Sequence, residues 1–224
     1  MARLPRLDAP GHCHLVILPV VAGRPLAPGD ADRLAWLAAL HEAMEPERVV
    51  IHAWALRPDA AWLLLTPAAS GSLGRAMQAL GRRYVAGYHR RHGSKGPLWA
   101  GRFRAAVVEP GAWRLAASLW VDAQGQAPGG FSSDSARAGV VPRPGWLSDP
   151  PELWALGNTP FEREASWQAR LTQGVSSTQA ETLGHAAQGN WVVGSIAFAS
   201  ALAETLGRPT RPRPRGRYRS GPAG

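Results

Sequence analysis

The first half of the chain alternates between unbroken apolar runs and apolar residues spaced at helical intervals. His14–Val21 (HLVILPVV) is a run rich in branched side chains and reads as a buried strand. After the turn Pro28-Gly29-Asp30, residues Leu34, Leu37, Leu40, His41 and Met44 fall at helical spacing, with Asp30 as the expected N-cap and Pro46 as the stop. Val49–Leu56 and Ala61–Thr66 are further strands, joined by the turn Arg57-Pro58-Asp59 into a hairpin that Pro67 ends. Ser70–Ser72 precede a long helix in which Leu73, Met77, Leu80, Tyr84 and Tyr88 share one face. Phe103–Val108 reads as a fourth strand. Ala112–Ala123 follows as a helix whose apolar positions are Trp113, Leu115, Ala116, Leu119 and Trp120.

This order is strand, helix, strand, strand, helix, strand. It predicts an α+β fold of ferredoxin-like βαββαβ type: one antiparallel sheet over residues 12–108, with its helices on one face. Residues 1–124 then form the main domain. Residues 125–157 are expected to be a linker, because Gly125–Pro144 is rich in Gly, Ser and Pro. Three short helices are expected in a C-terminal region, 158–206, followed by an Arg/Pro-rich tail, 207–224, expected to be disordered.

Charge changes this picture more than composition does. The formal net charge is +9, and 24 of the 25 basic residues are arginine. Residues 60–108 contain no acid but carry Arg75, Arg82, Arg83, Arg90, Arg91, Lys95, Arg102 and Arg104. The tail has six arginines and again no acid. These two blocks hold 14 bases, leaving 11 bases against all 16 acids elsewhere, a net −5. On a helical wheel Arg75, Arg82, Arg83 and Arg90 lie opposite the apolar face within an arc of roughly 100°. Arginine binds phosphate in bidentate fashion and stacks on bases, so a nucleic-acid partner is expected. The single cysteine, Cys13, excludes an intrachain disulfide and a four-thiolate zinc site. No apolar run approaches the roughly 18 residues that span a bilayer, and Asp8, Pro10, His12 and His14 interrupt any signal-peptide pattern. A cytoplasmic protein with no membrane partner is expected.

Four stretches carry a resemblance: Met1–Gly11 (MARLPRLDAPG), Ile51–Pro67 (IHAWALRPDAAWLLLTP), Met77–Arg104 (MQALGRRYVAGYHRRHGSKGPLWAGRFR) and the GNWVVGS…F…LGR pattern within Gly189–Arg208. Together they resemble the IS200-type tyrosine transposases, in the branch associated with repetitive extragenic palindromes (REP). The third stretch is the longest and most specific. The resemblance implies a single-strand DNA endonuclease that cuts hairpin-flanked DNA through a covalent phosphotyrosine. Such an enzyme uses two histidines at i and i+2 of a strand to hold Mg²⁺ or Mn²⁺ and a helical tyrosine as nucleophile.

The chain departs from that pattern at each chemical position. The two family histidines fall on Ala60 and Trp62, and the tyrosine on Trp120; the Asn-Pro that follows it becomes Gln124-Gly125. Neither alanine nor tryptophan offers a lone pair to a metal, and indole has only an N–H donor. No intact catalytic residue, metal site or cofactor is therefore expected. The expected DNA-binding residues are Arg75, Arg82, Arg83, Arg90, Arg91, Arg102 and Arg104, with Arg215 and Arg217 of an AT-hook-like tail, and the expected partner is hairpin or single-stranded DNA. Three readings stay open: a DNA-binding protein that does not cleave, an active metal-dependent nuclease with a relocated site near Asp59 and His52, and a non-catalytic interaction module or remnant. His12 and His14 could share a strand face, and Tyr84 and Tyr88 are expected to be core residues. Trp62 and Trp120 are expected to lie near each other, filling the space of the missing metal and tyrosine.

Overall fold

The computed structural model describes residues 6–212. Strands β1 (Cys13–Pro19), β2 (Val49–Leu56), β3 (Ala60–Pro67) and β4 (Arg104–Val108) alternate with helices α1 (Asp30–Met44) and α2 (Ser72–His92) in the expected βαββαβ order. Then come α3 (Ala112–Ala123), β5 (Phe131–Ser132), α4 (Asp134–Arg137), α5 (Pro151–Trp154), α6 (Pro160–Gln173), α7 (Ser177–Gly189), β6 (Val192–Val193) and α8 (Ile196–Leu206). The sheet order is β5-β2-β3-β1-β4-β6, and β2-β3-β1-β4 pair antiparallel as a ferredoxin-like unit.

Alternation along each strand divides the core between two faces. Val16, Leu18, Leu63 and Leu65 pack against α1 and α2 with Trp36, Leu40, Leu80 and Tyr84. Cys13, Leu15, Leu64, Ala106 and Val108 pack on the opposite face against Ala117 and Val121 of α3 and Leu183, Ala186 and Ala187 of α7. Helices therefore cover both faces rather than one. The sheet strands are apolar on both sides, and α3 and α7 supply the second cover.

Segment 125–157, expected to be a linker, is built into the structure. Phe131 and Ser132 pair with Leu56 and Ala55, the Ser133 N–H donates to the Trp54 carbonyl at 2.9 Å, and the Ser148 N–H donates to that of Ile51 at 2.9 Å. These contacts satisfy the free edge of β2, which would otherwise offer a row of unpaired peptide groups. At the other edge Val192 and Val193 pair in parallel with Val107 and Val108.

Local differences have local causes. In α1 the N-cap is Gly29, while Asp30 lies within the helix and pairs with Arg33 at 3.1 Å. Leu34 is 68% exposed because the helix turns Trp36, Leu40, Ala43 and Met44 inward, a stripe with more apolar area. All five apolar positions predicted for α2 are buried. Its first turn is capped from a distance: the Asp8 carboxylate accepts the Gly71 N–H at 2.8 Å and the Ser70 hydroxyl. Its end is Gly93 at φ 57°, a left-handed position that favours glycine and turns the chain into the loop before β4.

Candidate nucleic-acid interface

Ala60, Trp62 and Trp120, the positions to which the resemblance assigns two metal ligands and a nucleophile, belong to one apolar cluster that spans this face of the sheet. Ala60 and Trp62 lie on β3 and face α3, with Trp120 half-buried in the same apolar cluster. Hairpin residue Arg57 ties this cluster together. Its guanidinium lies 5.3 Å from the Trp62 ring centre, pairs with Asp59 at 3.1 Å and donates to Gln124 Oε1 at 3.3 Å. Gln124 Nε2 in turn donates to the Trp120 carbonyl at 3.0 Å. The surroundings of Ala60 and Trp62 are packed and largely apolar, and no group of three or more metal-ligating side chains converges there among the described residues.

The other groups considered for a relocated metal site are committed elsewhere. Asp59 is held by Arg57. His52 sits at the β2 bulge, with Nδ1 3.0 Å from the Ser148 carbonyl and Nε2 2.9 Å from the Thr66 hydroxyl. Among the described residues no group of three or more His, Cys, Asp or Glu is placed to hold a metal. Tyr84 and Tyr88 are core residues whose hydroxyls donate to the Leu26 and Pro25 carbonyls, and burial raises both phenol pKa values. Neither is a poised nucleophile.

His12 and His14 form no ligand pair. The His12 ring meets Phe198 edge-on, whereas His14 is wholly buried, with Nδ1 donating to the His12 carbonyl at 2.8 Å and Nε2 unpartnered among the described residues. Burial lowers the His14 pKa from 6.5 to about 4. The unfolded chain therefore binds this proton more tightly than the folded one. The contribution is complete above the unfolded pKa and is lost as pH falls from 6.5 towards 4, by about 3 kcal/mol at the limit. Urea unfolding at neutral and acidic pH should show a smaller acid destabilisation in His14→Gln than in the wild type. Equal acid sensitivity in the two proteins would refute this assignment.

The expected arginines separate into two groups. Arg75 pairs with Glu47 at 2.8 Å, Arg83 with Glu42 at 3.2 Å and Arg91 with Asp32 at 2.7 Å. The acids all come from α1 and the turn after it. A block without acids in sequence thus meets acids across the α1–α2 packing. Burial pushes the Asp32 carboxyl up, but His92 and Arg91 outweigh it and hold it below the ordinary range. His92 is thus part of this ion pair, while His89 bonds Ser94 and Gly96 in the following loop.

Arg82, Arg90, Arg102 and Arg104 are exposed and form no ion pair among the described residues. Arg104 and Trp62 both lie opposite Ile17 in the register, so their side chains share a sheet face two strands apart, about 10 Å between backbones. The end of α2 with Arg90, the loop carrying Arg102, and Arg104 gather at the same end of the sheet as Ala60 and Trp62; Arg75 lies at the opposite end. Arg215 and Arg217 fall outside the described residues.

One cation was not singled out from sequence. Arg6 stacks on Phe103 at 3.7 Å from the ring centre, beside Arg102 and Arg104. The signal was its place in the quoted MARLPRLDAPG opening. Among the other tryptophans, Trp99 packs against Trp36 and Tyr84, Trp167 is buried, and Trp154, at the end of the short helix α5, is 57% exposed.

No family model matches the chain, and no curated protein matches it by sequence. A solved structure, that of a REP-associated tyrosine transposase bound to a REP hairpin, matches with a TM-score of 0.50 and 15% sequence identity, covering 67% of this chain and 95% of that one. At this identity the likeness is one of fold. No helix among the described residues is long and apolar enough to cross a membrane.

Proposed function

We propose that this chain is a DNA-binding protein of the REP-associated tyrosine transposase family, which binds hairpin or single-stranded DNA without cutting it by that family's chemistry. The observation that carries the reading is that Ala60, Trp62 and Trp120 all belong to one apolar cluster between β3 and α3. Positions matched only by sequence motif, on a strand and on a later helix, lie on the same covered face of the sheet and are linked through Arg57 and Gln124. This supports the family correspondence, and the side chains present there remove its chemistry. A divalent metal does not fit: a methyl group and an indole replace the ligands, Arg57 neutralises the nearest carboxylate, and His52 has both ring nitrogens engaged. No catalytic step through a metal is assigned.

Binding needs none of these groups. Arg82, Arg90, Arg102 and Arg104 have their guanidiniums available for phosphates, and phosphate contacts supply most of the affinity in such complexes. Arg75, Arg83 and Arg91 contribute less, because each already neutralises an acid.

The test is a titration of labelled hairpin DNA by fluorescence anisotropy at several salt concentrations. Arg82→Glu/Arg90→Glu should weaken binding roughly ten- to hundred-fold for every hairpin sequence. It should also flatten the slope of log affinity against log salt by about 0.7–0.9 for each lost phosphate contact. Arg83→Glu should weaken binding less. Unchanged affinity in the double variant, or binding no stronger than to an unrelated polyanion, would favour the interaction-module reading.

A further inference from the structure

A cavity of about 580 Å³ opens beyond the β5–β2 edge of the sheet, between segment 136–149 and helices α5 and α6. Helix α6 turns Pro160, Arg163, Glu164 and Trp167 towards it, the spacing of one helical face, and Leu147, Leu153 and Leu156 add aliphatic walls. Large apolar side chains stand in solvent around its mouth. Phe161, next to Pro160, is 80% exposed, and Val140, Val141 and Trp154 are exposed too. A small ligand would fill the recess and leave that rim in water, whereas a protein surface covers both.

The charges on this face decide which surface fits. Arg137 and Arg143 are neutralised by Asp122 and Asp149. Arg163 and Glu164 form no ion pair among the described residues. The Arg163 guanidinium donates to the Gly157 carbonyl at 3.1 Å and lies 4.5 Å from the Trp154 ring centre. The Glu164 carboxylate rests against the Gly139 backbone, so close that a Cβ there would lie 3.1 Å from it. One face thus carries an aromatic plug and a recess, and a charge and its counter-charge. A two-fold contact uses the same patch on both partners and requires this self-complementarity. The area is sufficient: burying the four exposed apolar side chains on both copies removes on the order of 1,000 Å² from water, the lower bound for a specific interface. A net charge of +9 makes two copies repel over much of their surface, but none of Arg82, Arg90, Arg102 and Arg104 lines this face.

We propose that this face pairs with its counterpart on a second copy of the chain, Phe161 of each copy entering the cavity of the other and Arg163 of each meeting Glu164 of the other. The pairing is independent of the DNA-binding reading above and leaves the exposed arginines of that reading free.

Sedimentation velocity tests it on the full chain freed of nucleic acid. Over about 1–100 µM, the range expected of an interface this small, monomer should give way to dimer. Phe161→Glu should stay monomeric throughout; the side chain is exposed, so its thermal midpoint in dilute solution should match that of the wild type. Arg163→Glu and Glu164→Arg should each weaken the dimer by about ten-fold, because each sets like charges opposite one another in both halves of the contact. Mixed in equal amounts, these two variants should pair with each other about as well as the wild type pairs with itself, since every charge then meets its opposite. A wild type that stays monomeric over the whole range leaves the face to another partner and overturns the proposal, as does a Phe161→Glu variant that dimerises like the wild type. Single-charge variants that fail to pair when mixed overturn the reciprocal contact of Arg163 with Glu164.

Discussion

Hairpin DNA incubated with the purified protein and Mg²⁺ or Mn²⁺ should remain uncut, and no protein–DNA adduct should survive denaturing electrophoresis. Formation of a phosphotyrosine requires a hydroxyl that attacks phosphorus while a metal or other charge stabilises the phosphate oxygens. At position 120 this chain presents an indole, which has no nucleophilic oxygen, and at positions 60 and 62 it presents a methyl group and a second indole. Loss of a nucleophile alone can lower catalysis by about 10⁴–10⁶-fold, and groups that act as a unit do not compensate for one another. With all three replaced, cleavage should fall below detection. The chain has three tyrosines, Tyr84, Tyr88 and Tyr218, so any adduct can be traced by changing each to Phe. Tyr84 and Tyr88 have their hydroxyls bonded inside the core and their phenol pKa values raised, so the two variants Tyr84→Phe and Tyr88→Phe should behave as the wild type. A metal-dependent adduct with the wild-type chain would sink the inactive reading, and its loss in one Tyr→Phe variant would locate the relocated nucleophile.

The strand and helix pattern of residues 13–123 was legible because each element buries a face that repeats every two or every three to four residues. Val49–Leu56 and Ala112–Ala123 appear at the bounds that their sequence predicts. Ala60, Trp62 and Trp120 were legible only through motif matching; periodicity alone marks them as three more apolar residues. Two features were hidden for a common reason, which is that their partners are remote in sequence. The acid-free stretch around α2 suggested a continuous basic face, but Asp32, Glu42 and Glu47 neutralise part of it from α1. The Gly/Ser/Pro-rich segment after α3 suggested a linker because its β5 strand has two residues and its α4 helix four. Such short elements carry no periodic signal; long-range hydrogen bonds and one buried arginine hold them.

That arginine, Arg137, should be among the most costly polar side chains to remove. It is 6% exposed, donates to the Asp122 carboxylate and to the His52 carbonyl, and reaches Asp149 at 3.3 Å and the Ser133 hydroxyl at 3.2 Å. Its guanidinium also lies 4.9 Å from the Trp167 ring centre. One side chain thus joins α3, the β2 bulge, α4, the 149 turn and α6. Arg137→Met keeps much of the volume but leaves Asp122, which is wholly buried, without its counter-ion. Breaking one side of a buried pair in this way costs about 3–5 kcal/mol, which should appear as a lower urea midpoint. Burial already pushes the Asp122 pKa up to about 6, against the pull of Arg137, and without that pull it should rise further. Because the folded pKa then lies above the unfolded one, the variant's Asp122 favours folding at low pH, and that contribution is lost as pH rises through the folded value. The deficit of Arg137→Met relative to wild type should therefore be larger at pH near 8 than near 5. Asp122→Asn in the same background should recover much of it, since a neutral amide has no charge to desolvate. If Arg137→Met costs under about 1 kcal/mol, or if Asp122→Asn adds its own full penalty instead of rescuing, the arginine is a surface-like ion pair rather than the clamp that holds 131–149 on the sheet.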